Sequence, residues 1–427
     1  MKRTIQARLS AMMFLEFFVW GAWYTTVAVT MTAHGMEGLT HWPFTVNPVA
    51  ALVAPFFVGL VADRYFATQR VLGGLHLLGA AFMFVAPSVI GYPVVFILIL
   101  LAYNLCYMPT MSLANTLAFH NMTDQEAQFP VIRVFGTVGW IVAGLSVSYA
   151  GVYFVPAGTI PEETTLPLYL TAAISALYGL YSFTLPHTPP PAKGEEVSIR
   201  SIVGIDALKE LGSPSFYVFL LSSFLISIPL AAYYNFTQTF LENTGFQDVA
   251  AVQTIGQTSE VVFMLLMPLF FVRLGVKWML GAGMFAWVLR YALFALGAPD
   301  VVTWMIISGI ALHGICYDFF FVTGQIYVDK KASDEIRGQA QGLIVLITYG
   351  AGMLIGAQLA GRLFNFIRTG EQLSLDQWVT FWWVPAIFAG VVLAFFVLFF
   401  DDEVEVTDES LASVMGAETD EEKEVAS

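Results

Sequence analysis

Apolar residues along this chain gather into twelve runs, each close to the roughly 20 residues that a helix needs to cross a bilayer. Six lie at 11–31, 44–62, 71–90, 94–119, 132–154 and 166–185. Six more follow at 216–236, 252–272, 278–296, 302–328, 340–364 and 379–400. The pattern predicts an all-α membrane protein with twelve transmembrane helices. It divides at 186–214, which opens on His187-Thr188-Pro189-Pro190-Pro191 and holds most of the charge in the middle of the chain. This stretch reads as a linker between two six-helix bundles, 1–185 and 215–400. Within it, 205–211 predicts a short amphipathic helix at the membrane surface.

Positive residues orient the runs. Lys2, Arg3, Arg8, Arg64, Arg70, Lys193, Arg200, Lys209, Arg273, Lys277, Lys330, Lys331 and Arg337 all fall on one side if the helix count holds. The opposite side receives only Arg362 and Arg368. Short cytoplasmic loops collect Lys and Arg, so both termini are expected in the cytoplasm. The same bias checks the count, because a missed helix would scramble it.

A faint repeat links the two halves. Pro55-Phe56-Phe57-Val58 is echoed by Pro268-Leu269-Phe270-Phe271-Val272, and Leu105-Cys106-Tyr107 by Ile315-Cys316-Tyr317. Both pairs are offset by a little over 200 residues. Parallel six-helix repeats of this kind build the major facilitator fold.

Composition agrees. Of 427 residues, 57% are hydrophobic and 12% charged, about half the charged fraction of a soluble domain. The net charge of −14 misleads until it is located. From Asp401 to the end there are eleven acidic residues against Lys423, a net of −10, so the rest of the chain carries only −4. The acidity describes a tail, 401–427, expected to be solvated and disordered, and gives no reason to invoke nucleic acid or a cationic substrate. Cys106 and Cys316 both sit inside apolar runs and read as small embedded residues. No small-residue cleavage site ends the first run convincingly, so it is expected to remain as the first spanning helix.

Ionisable groups inside the runs are few, and each needs a partner or a job in hydrocarbon. They are Glu16, His76, Arg133, Glu260, Arg290, His313 and Asp318. Asp318, in Gly314-Ile315-Cys316-Tyr317-Asp318-Phe319-Phe320, lies well inside its run. A carboxyl there is costly to ionise unless a cation stands near, which suits a proton-coupling site. The bland alternative is a permanent ion pair, for instance with Arg290. Gln257 and Glu260 are three apart and share a helix face, where an amide beside a carboxylate can bind a polyhydroxylated or heterocyclic ligand or simply clamp two helices. Arg133, Thr137 and Trp140 fall at i, i+4 and i+7 on another face. A guanidinium, a hydroxyl and an indole together can hold a sugar and stack a base; the alternatives are snorkelling for Arg133 and plain packing for Trp140. Glu16 either faces a cavity or pairs with a cation, and His76 reads as a hydrogen-bonded helix contact. Asp63-Arg64 falls between the second and third runs, where its charges can lock helix ends as a gate. The sequence holds no phosphate-cradling loop, nucleotide-hydrolysis motif or clustered metal ligands. No cofactor is expected, and an ATP-driven pump is disfavoured.

At these residues the chain resembles the nucleoside:proton symporter family of the major facilitator superfamily, the bacterial nucleoside permeases. The resemblance covers nearly everything but the acidic tail. It is carried by Phe18-Val19-Trp20-Gly21-Ala22-Trp23, Gly59-Leu60-Val61-Ala62-Asp63-Arg64, Tyr107-Met108-Pro109-Thr110, Ile132-Arg133-Val134-Phe135-Gly136-Thr137-Val138-Gly139, Thr184-Leu185-Pro186-His187, Ser259-Glu260, Trp287-Val288-Leu289-Arg290-Tyr291-Ala292-Leu293-Phe294-Ala295 and Tyr317-Asp318-Phe319-Phe320. It implies substrate-binding roles for Arg133, Thr137, Gln257, Glu260 and Asp318, with Trp140 and Tyr317 at aromatic positions of the site. The sequence departs from the family at Ala231 and Tyr234, where polar amides are expected, at His313, and at Glu16, where an uncharged polar residue is expected. These departures leave the identity of the nucleoside open.

The combined expectation is a monomeric, proton-coupled nucleoside transporter of the cytoplasmic (inner) membrane, not an enzyme. It works by alternating access, with Asp318 and Glu260 carrying the proton. A sugar or drug carrier of the same fold is the alternative within transporters. An intramembrane enzyme would need a nucleophile–base or paired-acid motif, and no recognisable one stands in the sequence.

Overall fold

The computed structural model describes residues 2–57, 65–123, 125–190, 203–333 and 336–401, and all regular structure among them is helical. Among the described residues, nine helical stretches are long and apolar enough to cross a membrane, and twelve helices account for the fold. They are α1 (Arg3–Ala33), α2 (Pro43–Phe57, at the edge of the described residues), α3 (Thr68–Val89), α4 (Pro93–Asn121), α5 (Gln125–Leu145, prolonged through Ser146–Ala150) and α6 (Leu166–Ser182). In the second half come α7 (Pro214–Asn243), α8 and α9 within Val249–Gly297, α10 (Thr303–Lys331), α11 (Arg337–Ile367) and α12 (Leu375–Phe399). The run Val249–Gly297 has 49 residues, about 70 Å if straight, against a hydrocarbon core of about 30 Å. It breaks at Gly275, whose φ of 63° and ψ of 179° suit glycine alone, giving α8 at 249–274 and α9 at 276–297. The short helix Ile205–Glu210 lies where the surface helix was expected. Asp63, Arg64, the linker from 191 to 202 and the tail beyond 401 lie outside the described residues.

Backbone polarity dictates this all-helical solution, because lipid offers no partner for a free N–H or C=O. Local signals set the ends. Pro93 opens α4 and Pro214 opens α7, where the missing amide costs nothing. Ser213 Oγ caps α7 by accepting from the Phe216 amide at 3.2 Å, and Ser374 with Gln377 forms a capping box on α12.

Each half has its own core. In the first, α1 packs on α5 and α6, and α3 on α4 and α6; in the second, α7 packs on α11 and α12, and α8–α9 on α10 and α12. Phe240, Tyr291, Phe294, Trp378 and Trp382 pile ring on ring in the second half, with contacting centroids 5.0–5.8 Å apart. Leu105-Cys106-Tyr107 and Ile315-Cys316-Tyr317 both sit on the fourth helix of their half, as the repeat requires.

The halves meet through α5 against α8 and α2 against α11. Among the described residues, the hydrogen bonds between them sit at mid-depth and at the end that carries the α1–α2, α5–α6, α7–α8 and α11–α12 loops. The centre of this clasp is a break in α1. Thr25 Oγ1 donates to the Gly21 carbonyl at 2.8 Å and Thr26 Oγ1 to the Trp23 carbonyl at 3.2 Å, competing with the helix ladder. The Gln238 amide of α7 then inserts into the broken rung: its nitrogen donates to the Tyr24 carbonyl at 2.7 Å, and its oxygen accepts from the Ala28 amide at 3.1 Å. Gln253 of α8 donates to the Thr25 carbonyl at 3.0 Å. Gln358 reaches Thr45 at 2.8 Å, and Asn365 donates to the Gly38 carbonyl at 3.0 Å. The Gly361 backbone lies so close to His41 that a Cβ would enter the imidazole ring.

This geometry predicts that replacing Gln238 and Gln253 together by Ala loosens the closed end. Val29 lies buried against the second half's core. In a Val29→Cys reporter lacking Cys106 and Cys316, alkylation by a water-soluble reagent should speed up by about one to two orders of magnitude, since each buried bond contributes about 1 kcal/mol. An unchanged rate would show that the two amides do not hold the closure.

Candidate functional site

The site begins where α8 and α10 touch. A Cβ on Gly314 would stand 2.5 Å from the Ser259 backbone and 2.7 Å from the Glu260 amide, so only a hydrogen at this position lets the helices approach. Ser259 Oγ donates to the Ala311 carbonyl and fastens the contact. Glu260 is thereby fixed on α8 one turn of α10 away from Asp318. At Asp318 the helix widens to an i→i+5 turn over Asp318–Val322, a distortion that re-aims side chains. Asp318 is wholly buried, and neither carboxyl oxygen has a hydrogen-bond partner among the described residues. The alternative pairing with Arg290 is not formed. Arg290 donates from Nε to the Gly309 carbonyl at 3.0 Å and lays its guanidinium 4.0 Å from the centre of the Tyr233 ring.

The sequence-derived residues largely converge. Glu260 stands within electrostatic reach of Arg133 across the boundary between halves and of Asp318 on its own side. Tyr317 lies within reach of all three. Gln257, one turn along α8 from Glu260, is buried with its side-chain oxygen unpartnered among the described residues.

The opposite wall is α5. Gly136 and Gly139 let α1 lie directly on it, Gly139 against the Phe14 backbone. Arg133 is half-buried with its guanidinium 4.1 Å from the Phe17 ring centre, a cation–π seat that holds it at the site instead of snorkelling. Thr137 is half-buried on the next turn, and Trp140 rests on Gly21. Trp140 is also part of an aromatic chain: Trp20 lies 5.2 Å from it and 6.1 Å from Tyr349. Tyr24 lies 6.0 Å from Tyr234, which is 6.0 Å from His313, itself 5.8 Å from Tyr317. The rings thus run from α1 and α5 to α7, α10 and α11. The buried indole nitrogens of Trp20 and Trp140 and Nδ1 of His313 have no partner among the described residues. Buried polar atoms are nearly always bonded, so these groups on α1, α5, α8 and α10 keep hydrogen-bonding capacity that the described residues do not use.

Glu16 belongs elsewhere. It is buried in the first half, accepting from Thr110 Oγ1 at 2.7 Å and standing 3.4 Å from Nε2 of His76. His76 Nδ1 meets Ser175 Oγ at 3.1 Å, and Tyr107 donates to the Glu16 carbonyl at 2.8 Å. This network ties α1 to α3, α4 and α6 and fixes the turn that presents Phe17 and Trp20.

Several residues were not singled out beforehand. Tyr349 donates to Asn47 at 2.5 Å, and Asn47 to Asn104 at 2.7 Å, joining α11 to α2 and α4. Their signal was present: Asn47, Asn104, Gln238 and Gln253 are amides inside apolar stretches, and a census limited to ionisable groups passes over them. Among the described residues, no group of three or more His, Cys, Asp or Glu could hold a metal ion.

Comparison with known proteins places this geometry. The model of a family described as "Nucleoside H+ symporter" matches residues 2–405. The putative nucleoside transporter YegT of Escherichia coli K12 is 39% identical over 423 residues, 96% of this chain and 98% of its own. The nucleoside permease NupG of the same organism is 32% identical over 413 residues, 92% of this chain and 94% of its own. A crystal structure of NupG superposes with a TM-score of 0.82 at 29% identity, over 94% of this chain and all of that one.

The helix contact yields its own prediction. Gly314→Ala should destabilise the protein by about 1–3 kcal/mol through overpacking, read as a lower melting temperature in detergent. Gly338→Ala, where a Cβ meets nothing within 4 Å, should leave it unchanged. Equal behaviour of the two variants would refute the close α8–α10 contact.

Proposed function

Because the chain belongs to the nucleoside H+ symporter family, a family of transporters and not of enzymes, we propose that it moves nucleosides with protons through the cavity between its halves, and that Asp318 and Glu260 are the proton-linked carboxyls. One observation carries the site assignment. Two carboxyls on touching helices lie within electrostatic reach of one another, and one of them, wholly buried, has no hydrogen-bond partner among the described residues.

The chemistry follows from position. Arg133 and Thr137 supply donors for ribose hydroxyls or base carbonyls, with Gln257 and Glu260 facing them as acceptor-rich groups. Trp140 supplies a face for the base, and Tyr317 bridges the carboxyls and the cation. Protonation of Asp318 or Glu260 removes a charge from the cavity and so changes which conformation the loaded protein favours; that difference is the coupling. Positive charge supports cytoplasmic termini, an orientation in which the clasped end faces outward. The expected Asp63–Arg64 gate then belongs to the cytoplasmic end. We assign the protein to the inner membrane, as a monomer with 1–185 and 215–400 as its two moving bodies.

Proteoliposomes test this. With an imposed inward proton gradient, labelled uridine or adenosine should accumulate in vesicles carrying the native protein. Asp318→Asn should abolish accumulation while still exchanging nucleoside across the membrane. Arg133→Lys should weaken apparent affinity by about tenfold to a hundredfold, because Lys cannot reproduce a fork of charge-assisted bonds. Undiminished accumulation by Asp318→Asn would remove Asp318 from the coupling. Inhibition by sugars and not by nucleosides would overturn the substrate class.

A further inference from the structure

Glu162 lies away from that cavity, in the turn Pro161–Glu163 between α5 and α6, yet it is wholly buried. Both halves bury it. One carboxyl oxygen accepts from Ser148 Oγ at 2.5 Å, and Ser148 Oγ in turn accepts from the amide of Ala251 at 3.0 Å, in the first turn of α8. The Ala250 amide faces the same carboxyl. Thr30 of α1 donates to the Glu162 carbonyl at 2.7 Å. The helices are in contact here, since a Cβ on Gly144 would stand 3.0 Å from the Ala250 carbonyl oxygen. The second carboxyl oxygen, Oε2, is buried without a partner among the described residues.

We propose that Glu162 is a second proton-binding site, read from the outer solution: the halves close over its carboxyl in the protonated form, and its ionisation favours opening of that end. The inference rests on alternating access and on the assigned orientation, but not on the roles of Asp318 and Glu260.

The argument is one of differential burial. When α8 parts from α5, Glu162 and Ser148 come to face water, where a carboxylate is fully solvated. When the end closes, one oxygen keeps the Ser148 bond and the start of α8, while the other loses water and gains nothing. An ionised group treated so is penalised more than a neutral one. The closed state therefore binds the proton more tightly. Burial pushes the Glu162 carboxyl above its ordinary value, with the Ser148 bond and the backbone amides of Glu162 and Ala250 opposing and Asp248 adding to the rise. Other titratable groups stand around it. Glu163 is its neighbour and interacts with Glu242 at the end of α7. His34 Nδ1 lies 2.7 Å from the Thr30 carbonyl, and Tyr149 is exposed. A site that gains proton affinity on closing stabilises the closed state as pH falls and loses that contribution as pH rises through its closed-state value. External acid thus holds the outer end shut behind a bound substrate.

Spin labels at Val152 and Trp304, exposed residues near the outer end of opposite halves, would read the closure by electron–electron distance in lipid nanodiscs. The protein would carry Asp318→Asn and Glu260→Gln, so that neither carboxyl of the central site titrates there, and pH would run from about 5 to about 9. The short-distance population should grow as pH falls. Adding Glu162→Gln should keep it high and remove most of its pH response, because the neutral amide mimics the protonated acid and only the Glu163–Glu242 pair is left to respond. Adding Ser148→Ala should move the midpoint upward, because the bond that favours the anion is gone. A distribution that does not respond to pH with Glu162 intact, or that responds equally in Glu162→Gln, would overturn the proposal. Failure of the Asp318 assignment would appear separately, in the uptake of the otherwise native protein.

Discussion

Inside hydrocarbon, a backbone group that leaves its helix must find a partner in the protein, and the break in α1 turns that rule into an interface. Thr25 and Thr26 open the ladder, and the amides of Gln238 and Gln253 fill it from the other half. Each such bond contributes about 1 kcal/mol net, because water can replace it when the end opens. The cores of the halves are different. A ring pile such as Phe240, Phe294, Trp378 and Trp382 has no aqueous substitute, and separating it would cost several kcal/mol. Two stiff bodies joined by replaceable polar bonds are what rocking requires. The interface is specific enough to close in one register and weak enough to release.

Three helices depart from α geometry in the same manner, and each departure carries a polar residue of consequence. The i→i+5 turns at Ser146–Ala150, Asp318–Val322 and Leu346–Gly352 hold Ser148, Asp318 and Tyr349. Ser148 bridges the Glu162 carboxyl and the start of α8, and Tyr349 reaches Asn47 across the halves. A wide turn leaves backbone groups less well paired, a cost that persists only where the surroundings or a function maintain it. Two of the three, on α5 and α11, lie on helices that meet the opposite half.

Much of this was legible in the sequence, and the reasons for the rest are specific. Helix number survived because run length is set by bilayer thickness and tolerates local irregularity; the Gly275 break left two spans where one apolar stretch was nearly continuous. The buried ionisable residues were legible because an ionisable group in lipid has few reasons to exist. Their convergence was not, since Arg133 and Glu260 lie on different halves and only the folded chain brings them within reach. Gly314 carried no distinguishing signal, as one glycine among 35, although it sets the α8–α10 distance. Glu16 showed the limit of rarity as a guide. It satisfies the same cost rule as Asp318 through Thr110 and His76, inside one half, with no access to ligand implied.

The charge count in the cavity constrains the coupling further. Asp318 and Glu260 can carry two negative charges, and Arg133 supplies one positive charge within their reach. Arg290, the other buried cation of this region, is taken up by Tyr233 and the Gly309 carbonyl. With both acids ionised, the region between the halves holds an uncompensated charge, and occluding it away from water at both ends is expensive. One proton removes the imbalance, and a nucleoside, being neutral, neither adds to it nor relieves it. On the proposed assignment of these two acids, one proton is enough to leave the three side chains without a net charge. On the same proposal, the empty protein would return with both carboxylates sharing Arg133, and the guanidinium seated on Phe17 would serve the return step as well as substrate binding.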